Sequence, residues 1–208
     1  MQTVNYRLTE FFIIFVLIPV SFVISYSIWI KLAIGLVGFV YIIFILLKVE
    51  RNKFKMSTNL NWRLFWKRTF FHLLLIVVIT TLYVWFTNKT LLFNVMLSNS
   101  KLWLFILFFY SLFSVYPQEL IYRTFFFQRY QSLFKNQHVF ILINAVLFSL
   151  AHLFFRNSLV MLLTFLGGIL FALTFKRTKS TLLVSIEHAI YGCWLFTVGM
   201  GSMLGFPS

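Results

Sequence analysis

The chain reads as seven apolar blocks separated by short polar gaps, roughly Phe11–Trp29, Leu32–Leu47, Thr69–Phe86, Leu102–Tyr116, Val139–Leu153, Leu159–Phe175 and Leu182–Met200. Each approaches the ~20 residues that a helix needs to cross about 30 Å of hydrocarbon. Apolar and polar positions do not alternate at period 2, so the strands of a membrane barrel are not predicted. The pattern predicts an all-α fold, a polytopic transmembrane helical bundle of about seven spans. The first two blocks lie so close that "IKLA" has to be the turn of a tight helical hairpin. Pro19 falls inside the first block, where neighbouring helices can satisfy the carbonyl it frees.

The polar gaps carry the charge and suggest an orientation. With the N-terminus inside, the inner segments are the N-terminal tail, 48–68, 117–138 and 176–180. They hold 14 of the 18 basic residues, including Arg7, Lys53, Lys55, Arg123 and Arg129. The outer side receives the other 4, which are Lys31, Lys89, Lys101 and Arg156. This split follows the positive-inside rule. Segment 48–68 mixes tryptophan with basic residues; it reads either as a stretch lying along the inner interface or as a solvated loop that sets topology.

Composition narrows the class. A chain of 208 residues that is 61% hydrophobic and 11% charged has too little polar surface for a soluble domain. A net charge of +14 raises the question of nucleic acid, but the basic residues cluster between apolar blocks and no nucleic-acid-binding motif accompanies them. The expected partners are membrane lipids, not nucleic acid. The single Cys193 excludes an internal disulfide framework and reads as a small packed residue. No cleavage site of small residues follows the first apolar run, so that run is expected to be retained. The short loops suggest an integral protein of the bacterial cytoplasmic membrane.

Candidate chemistry is sparse enough to locate. The chain has four acids, Glu10, Glu50, Glu119 and Glu187, and no aspartate. In "YPQELIYRTF", Glu119 and Arg123 share a helix face, and Pro117 suits the first turn of a new helix, placing Glu119 near a positive dipole end. In "NAVLFSLAHLF", Asn144, Phe148 and His152 fall on one stripe. In "SIEHAIYG", Glu187 and His188 stand together early in the last block. His72 reads as structural and His138 as a solvated loop residue. Ionisable groups inside hydrocarbon are costly and face a bundle interior or a cavity. Carboxylate and imidazole converging there could activate water, with a base for the proton and a donor for the oxyanion. Two histidines and a glutamate could also hold Zn²⁺ with water as fourth ligand. A proton-coupled transporter could use the same groups, although no inverted repeat is visible.

The order "QELIYR", "FSLAH", "EHAIYG" resembles the CPBP family, the CAAX prenyl protease and bacteriocin-processing (Abi) proteins. The resemblance covers about residues 100–200. It implies a membrane-embedded catalytic region over 101–208, preceded over 1–100 by helices and a basic cytoplasmic loop. The family pattern is Glu-Glu-x-x-x-Arg, then Phe-x-x-x-His, then His-x-x-x-Asn or Asp. By that resemblance Glu119 and Arg123 match the first motif, Phe148 and His152 the second, and His188 the third. The implied activity is intramembrane endopeptidase hydrolysis; in its metalloprotease form Glu119, His152 and His188 would be the zinc ligands. The implied substrate is a membrane-associated or lipid-modified peptide or protein. In the family the first glutamate activates water with the second-motif histidine, and the later histidine and asparagine stabilise the oxyanion. Two positions depart: Gln118 stands for the first glutamate and Gly192 for the asparagine. Glu119, as base or as its support, and Glu187 are the carboxylates left. The alternative is a catalytically inactive relative serving as a membrane interaction or immunity protein.

Overall fold

In the computed structural model, which describes residues 3–52, 57 and 60–206, seven helices are long and apolar enough to cross a membrane. They are α1 (Val4–Ser21), α2 (Ile28–Val49), α3 (Trp62–Leu91), α4 (Ser100–Leu133), α5 (Gln137–Phe155), α6 (Ser158–Thr178) and α7 (Thr181–Val198). No strand occurs among the described residues. Short polar side chains start most of them. Asn61, Asn99, Asn136, Asn157 and Ser180 each accept from backbone N–H groups one turn on, which satisfies donors that a helix start leaves orphaned.

The first hairpin turns earlier than "IKLA". The break falls at 22–27, where Lys31 Nζ donates to the Phe22 carbonyl at 2.6 Å and Arg156 Nη2 to the Val23 carbonyl at 2.8 Å. Helix α1 accordingly begins at Val4 and draws Glu10 into the bundle. The basic stretch 48–68 is not one interfacial element, since Trp62–Arg68 are the opening turns of α3. Lys53 and Lys55 lie outside the described residues. His138 is exposed, as a solvated residue would be, but it sits in the first turn of α5 rather than in a loop.

The largest difference is α4. The expected inner segment 117–138 does not begin a new helix at Pro117, because α4 runs unbroken from Ser100 to Leu133. Two wide π-helical turns, Tyr110–Val115 and Leu120–Phe125, flank a regular stretch at Tyr116–Glu119. The wide turn before Pro117 makes room for its ring and for the hydrogen bond it cannot donate. A similar turn, Ile13–Leu17, precedes Pro19. Glu119 is therefore in mid-helix, away from any dipole end.

Helix α7 is the centre of the bundle: 56% of its most apolar window is buried, against 17% in each of α1, α2 and α3. Polar bonds tie it to its neighbours, with Trp194 Nε1 donating to Thr80 Oγ1 of α3 at 2.9 Å and Trp103 Nε1 of α4 to Thr197 Oγ1 at 3.0 Å. Such cross-helix bonds take the place of a hydrophobic driving force that lipid does not supply. Helices α5 and α6 approach closely where Gly168 meets the Ala145 backbone. An aromatic core that includes Phe15, Leu46, Phe126, Phe140, Phe148 and Phe171 joins the N-terminal helices to the C-terminal ones.

Candidate active site

Glu119 is fully buried, with Oε1 hydrogen-bonded and Oε2 paired by charge alone. Oε1 lies 2.7 Å from His188 Nδ1 on α7, and Oε2 lies 3.3 Å from Arg123 Nε one turn along α4. The Arg123 guanidinium is also fully buried, and its carbon stands 4.6 Å from the Phe148 ring centre and 5.7 Å from that of Phe171. None of its three nitrogens makes a hydrogen bond among the described residues, so it is held by its charge pairing with Glu119 and by the aromatic faces. The His188 ring stacks on Phe171 at 4.3 Å, which fixes its plane.

His188 opens onto a cavity of about 660 Å³ whose wall also includes His152, Gln118, Tyr110 and Gly192. Glu119 does not line it. His152 Nδ1 lies 2.8 Å from the Phe148 carbonyl, so Nε2 is the nitrogen left for a ligand. Gln118 Nε2 donates to Ser114 Oγ at 2.8 Å, while Gln118 Oε1 is buried with no donor among the described residues. The three polar places expected from separate spans are thus only partly one site. Gln118, Phe148, His152 and His188 line the cavity, with Phe148 against both histidine rings, and Glu119 and Arg123 stand behind His188 and Phe148. Asn144 is fully buried and donates to the Tyr122 carbonyl at 2.7 Å, and it does not line the cavity. Glu187 faces the other way from His188: its Oε1 accepts from Tyr191 at 2.9 Å and lies 3.8 Å from His72 Nδ1.

His72, read as structural, stands on the cavity wall with its Nδ1 3.8 Å from Glu187 Oε1. One cavity residue was missed from the sequence. Tyr110 lines the same wall with its hydroxyl 3.2 Å from His188 Nε2. Tyr110, Ser114 and Gln118 are spaced by four, a polar stripe in an apolar block that could have pointed to them.

The donor set for zinc does not fit. No three His, Cys, Asp or Glu side chains converge as ligands among the described residues. Glu119 is committed to Arg123 and His188, so it is not free for the ligand role expected of it together with His152 and His188.

Seven apolar helices gathered around a buried carboxylate–imidazole pair and a cavity define an integral membrane protein. Residues 100–194 match the model of the Rce1-like family, type II CAAX prenyl endopeptidases. The match bears out the resemblance carried by "QELIYR", "FSLAH" and "EHAIYG", all of which lie within the matched residues. No curated protein and no solved structure matches the chain.

Proposed function

We propose that the protein is an intramembrane endopeptidase that hydrolyses a peptide bond in a membrane-associated or lipid-modified substrate. The observation that carries this reading is the convergence of His188, held by Glu119 at 2.7 Å, with His152 and Gln118 on one cavity. Gln118 Oε1 accepts a hydrogen bond from the attacking water, its amide orientation being set by Ser114. The water oxygen adds to the scissile carbonyl carbon while its proton passes to His152 Nε2, and the carbonyl electron pair moves onto oxygen beside His188. Collapse breaks the C–N bond, and His152 returns the proton to the leaving amine. Glu119 positions the His188 ring and Arg123 positions Glu119. In this reading Glu119 supports the site and does not itself take the proton. The cavity's largely apolar lining, including Ile79, Leu163, Leu166 and Leu170, suits an apolar or lipid-bearing segment.

The protein resides in a bacterial cytoplasmic membrane with its N-terminus inside. Setting aside the buried Arg123 and Arg129 leaves 12 of the 14 inner basic residues against 4 outer ones, so the charge asymmetry that supports this orientation survives.

One observation favours a second reading, that of an inactive relative acting as a membrane interaction or immunity protein: the cavity-facing residue is Gln118, an amide with no basicity. The test is hydrolysis of a panel of membrane-anchored peptides by the purified protein in lipid, with products identified by mass. Cleavage that is lost in His152→Ala and falls about 10²-fold or more in Glu119→Gln supports the enzyme. A native protein that is inert, with cleavage appearing in Gln118→Glu, identifies the inactive relative. If both the native protein and Gln118→Glu are inert, the endopeptidase reading fails.

A further inference from the structure

We propose that Tyr110 is a further catalytic residue, donating a hydrogen bond from its hydroxyl to the substrate carbonyl oxygen, and that Gly192 is the notch that seats its phenol. The inference rests on the endopeptidase reading above. Tyr110 is 8% exposed, packed edge-on against Phe196 at 4.8 Å, and stands on the cavity wall. A phenylalanine would serve that packing equally well. A hydroxyl in so apolar a setting is costly unless it is bonded, and its partner is His188 Nε2 at 3.2 Å. The chain Arg123–Glu119–His188–Tyr110 thus ends at the cavity with an amphoteric group. When Nε2 carries hydrogen, the phenol oxygen accepts from it, and the phenol hydrogen is left for a carbonyl oxygen in the cavity. His188 and Tyr110 then form the donor side of the site, facing the water held by Gln118 and His152.

Gly192 is explained by the same geometry. A Cβ placed there would lie 2.1 Å from the Tyr110 hydroxyl oxygen and 2.5 Å from Cε1 and Cζ of the ring. Any side chain at 192 would expel the phenol from its position against His188. The missing side chain one turn beyond His188 and the tyrosine hydroxyl are therefore two parts of one arrangement.

The test is Tyr110→Phe, which keeps the ring and removes only the hydroxyl, assayed with the same membrane-anchored peptides in the native background and in Gln118→Glu. The expected result is a fall in kcat of about 10²- to 10³-fold, the range for loss of one oxyanion donor, with KM little changed. Gly192→Ala should lose a similar factor, and Tyr110→Phe/Gly192→Ala should be no worse than the more impaired single variant, because both changes remove the same hydroxyl. Unchanged kcat in Tyr110→Phe, or losses in the pair that multiply, would overturn the role of Tyr110 while leaving the endopeptidase reading intact. Absence of cleavage in both backgrounds before Tyr110 is touched would overturn both.

Discussion

Arg129 offers the sharpest test of how this bundle is held together. Its Nε donates to Glu10 Oε2 at 2.7 Å and its Nη2 to Glu10 Oε1 at 3.2 Å, while Nη1 reaches Glu50 Oε1 at 2.9 Å. Tyr130 donates to Glu10 Oε2 at 2.9 Å, and Tyr41 donates to Oε1. One guanidinium on α4 thus holds Glu10 of α1 and Glu50, the residue that follows α2. The Arg129 and Glu10 side chains are 1% and 4% exposed, and that of Glu50 is 22% exposed. Arg129→Met keeps the volume and leaves the Glu10 carboxylate buried with two phenols. Breaking a buried pair from one side costs about 3–5 kcal/mol. The two remaining hydrogen bonds to a charged acceptor place the expected loss near the lower end, about 3 kcal/mol. Glu50→Gln touches the more solvated arm and should cost under about 1 kcal/mol. Glu10→Met/Arg129→Met removes both buried charges together and should recover most of the loss. The assay is unfolding in mixed micelles titrated with denaturing detergent, followed by tryptophan fluorescence. Arg129→Met within about 1 kcal/mol of native, or a double variant less stable than Arg129→Met, would refute the clamp.

Two further changes probe the scaffold around the cavity. Gly168→Val puts a Cβ where an ideal one already lies 2.9 Å from the Ala145 Cα, a backbone atom that cannot step aside, so α5 and α6 must part. Overpacking of this kind costs about 1–3 kcal/mol, and the same titration should read it. Asn144→Leu removes the donor to the Tyr122 carbonyl, which lies in the second wide turn of α4. Leaving that buried carbonyl unbonded should cost about 1–3 kcal/mol, and cleavage should fall with it because the turn sets the direction of Arg123.

Hydropathy was sufficient for the number and order of the spans, because each must present an unbroken apolar run to lipid whatever its neighbours do. Their ends were less legible. Glu10 and Arg129 look like loop residues when counted singly, and only the bonds between helices distant in sequence make them tolerable inside the bundle. Scarcity of acids was the useful signal, since Glu10, Glu50, Glu119 and Glu187 all stand in polar clusters. It said nothing of which cluster lies on the cavity. Motif order located His152 and His188, whereas Tyr110 was hidden because a tyrosine in an aromatic-rich apolar block carries no mark of its own. Its partner Gly192 showed in the sequence only as a missing side chain.

The turn geometry of α4 explains why position along the helix misled. Four residues of regular helix overshoot a full turn by about 40°, so three residues spaced by four should drift about 80° around the axis. Tyr110, Ser114 and Gln118 nevertheless all face one cavity. The wide turn over Tyr110–Val115 places more residues in each turn and takes back part of that drift, which holds the stripe over the cavity. Regular geometry resumes at Tyr116–Glu119, and the ~100° step per residue then sends Gln118 and Glu119 to different surroundings. The amide faces the cavity, and the carboxylate faces His188 and Arg123. Pro117 fits this arrangement because a wide turn precedes it. A bulge of this kind is therefore part of how the site is built, and any change that restored regular helix across Tyr110–Val115 would swing Tyr110 away from His188 while Gln118 stayed in place.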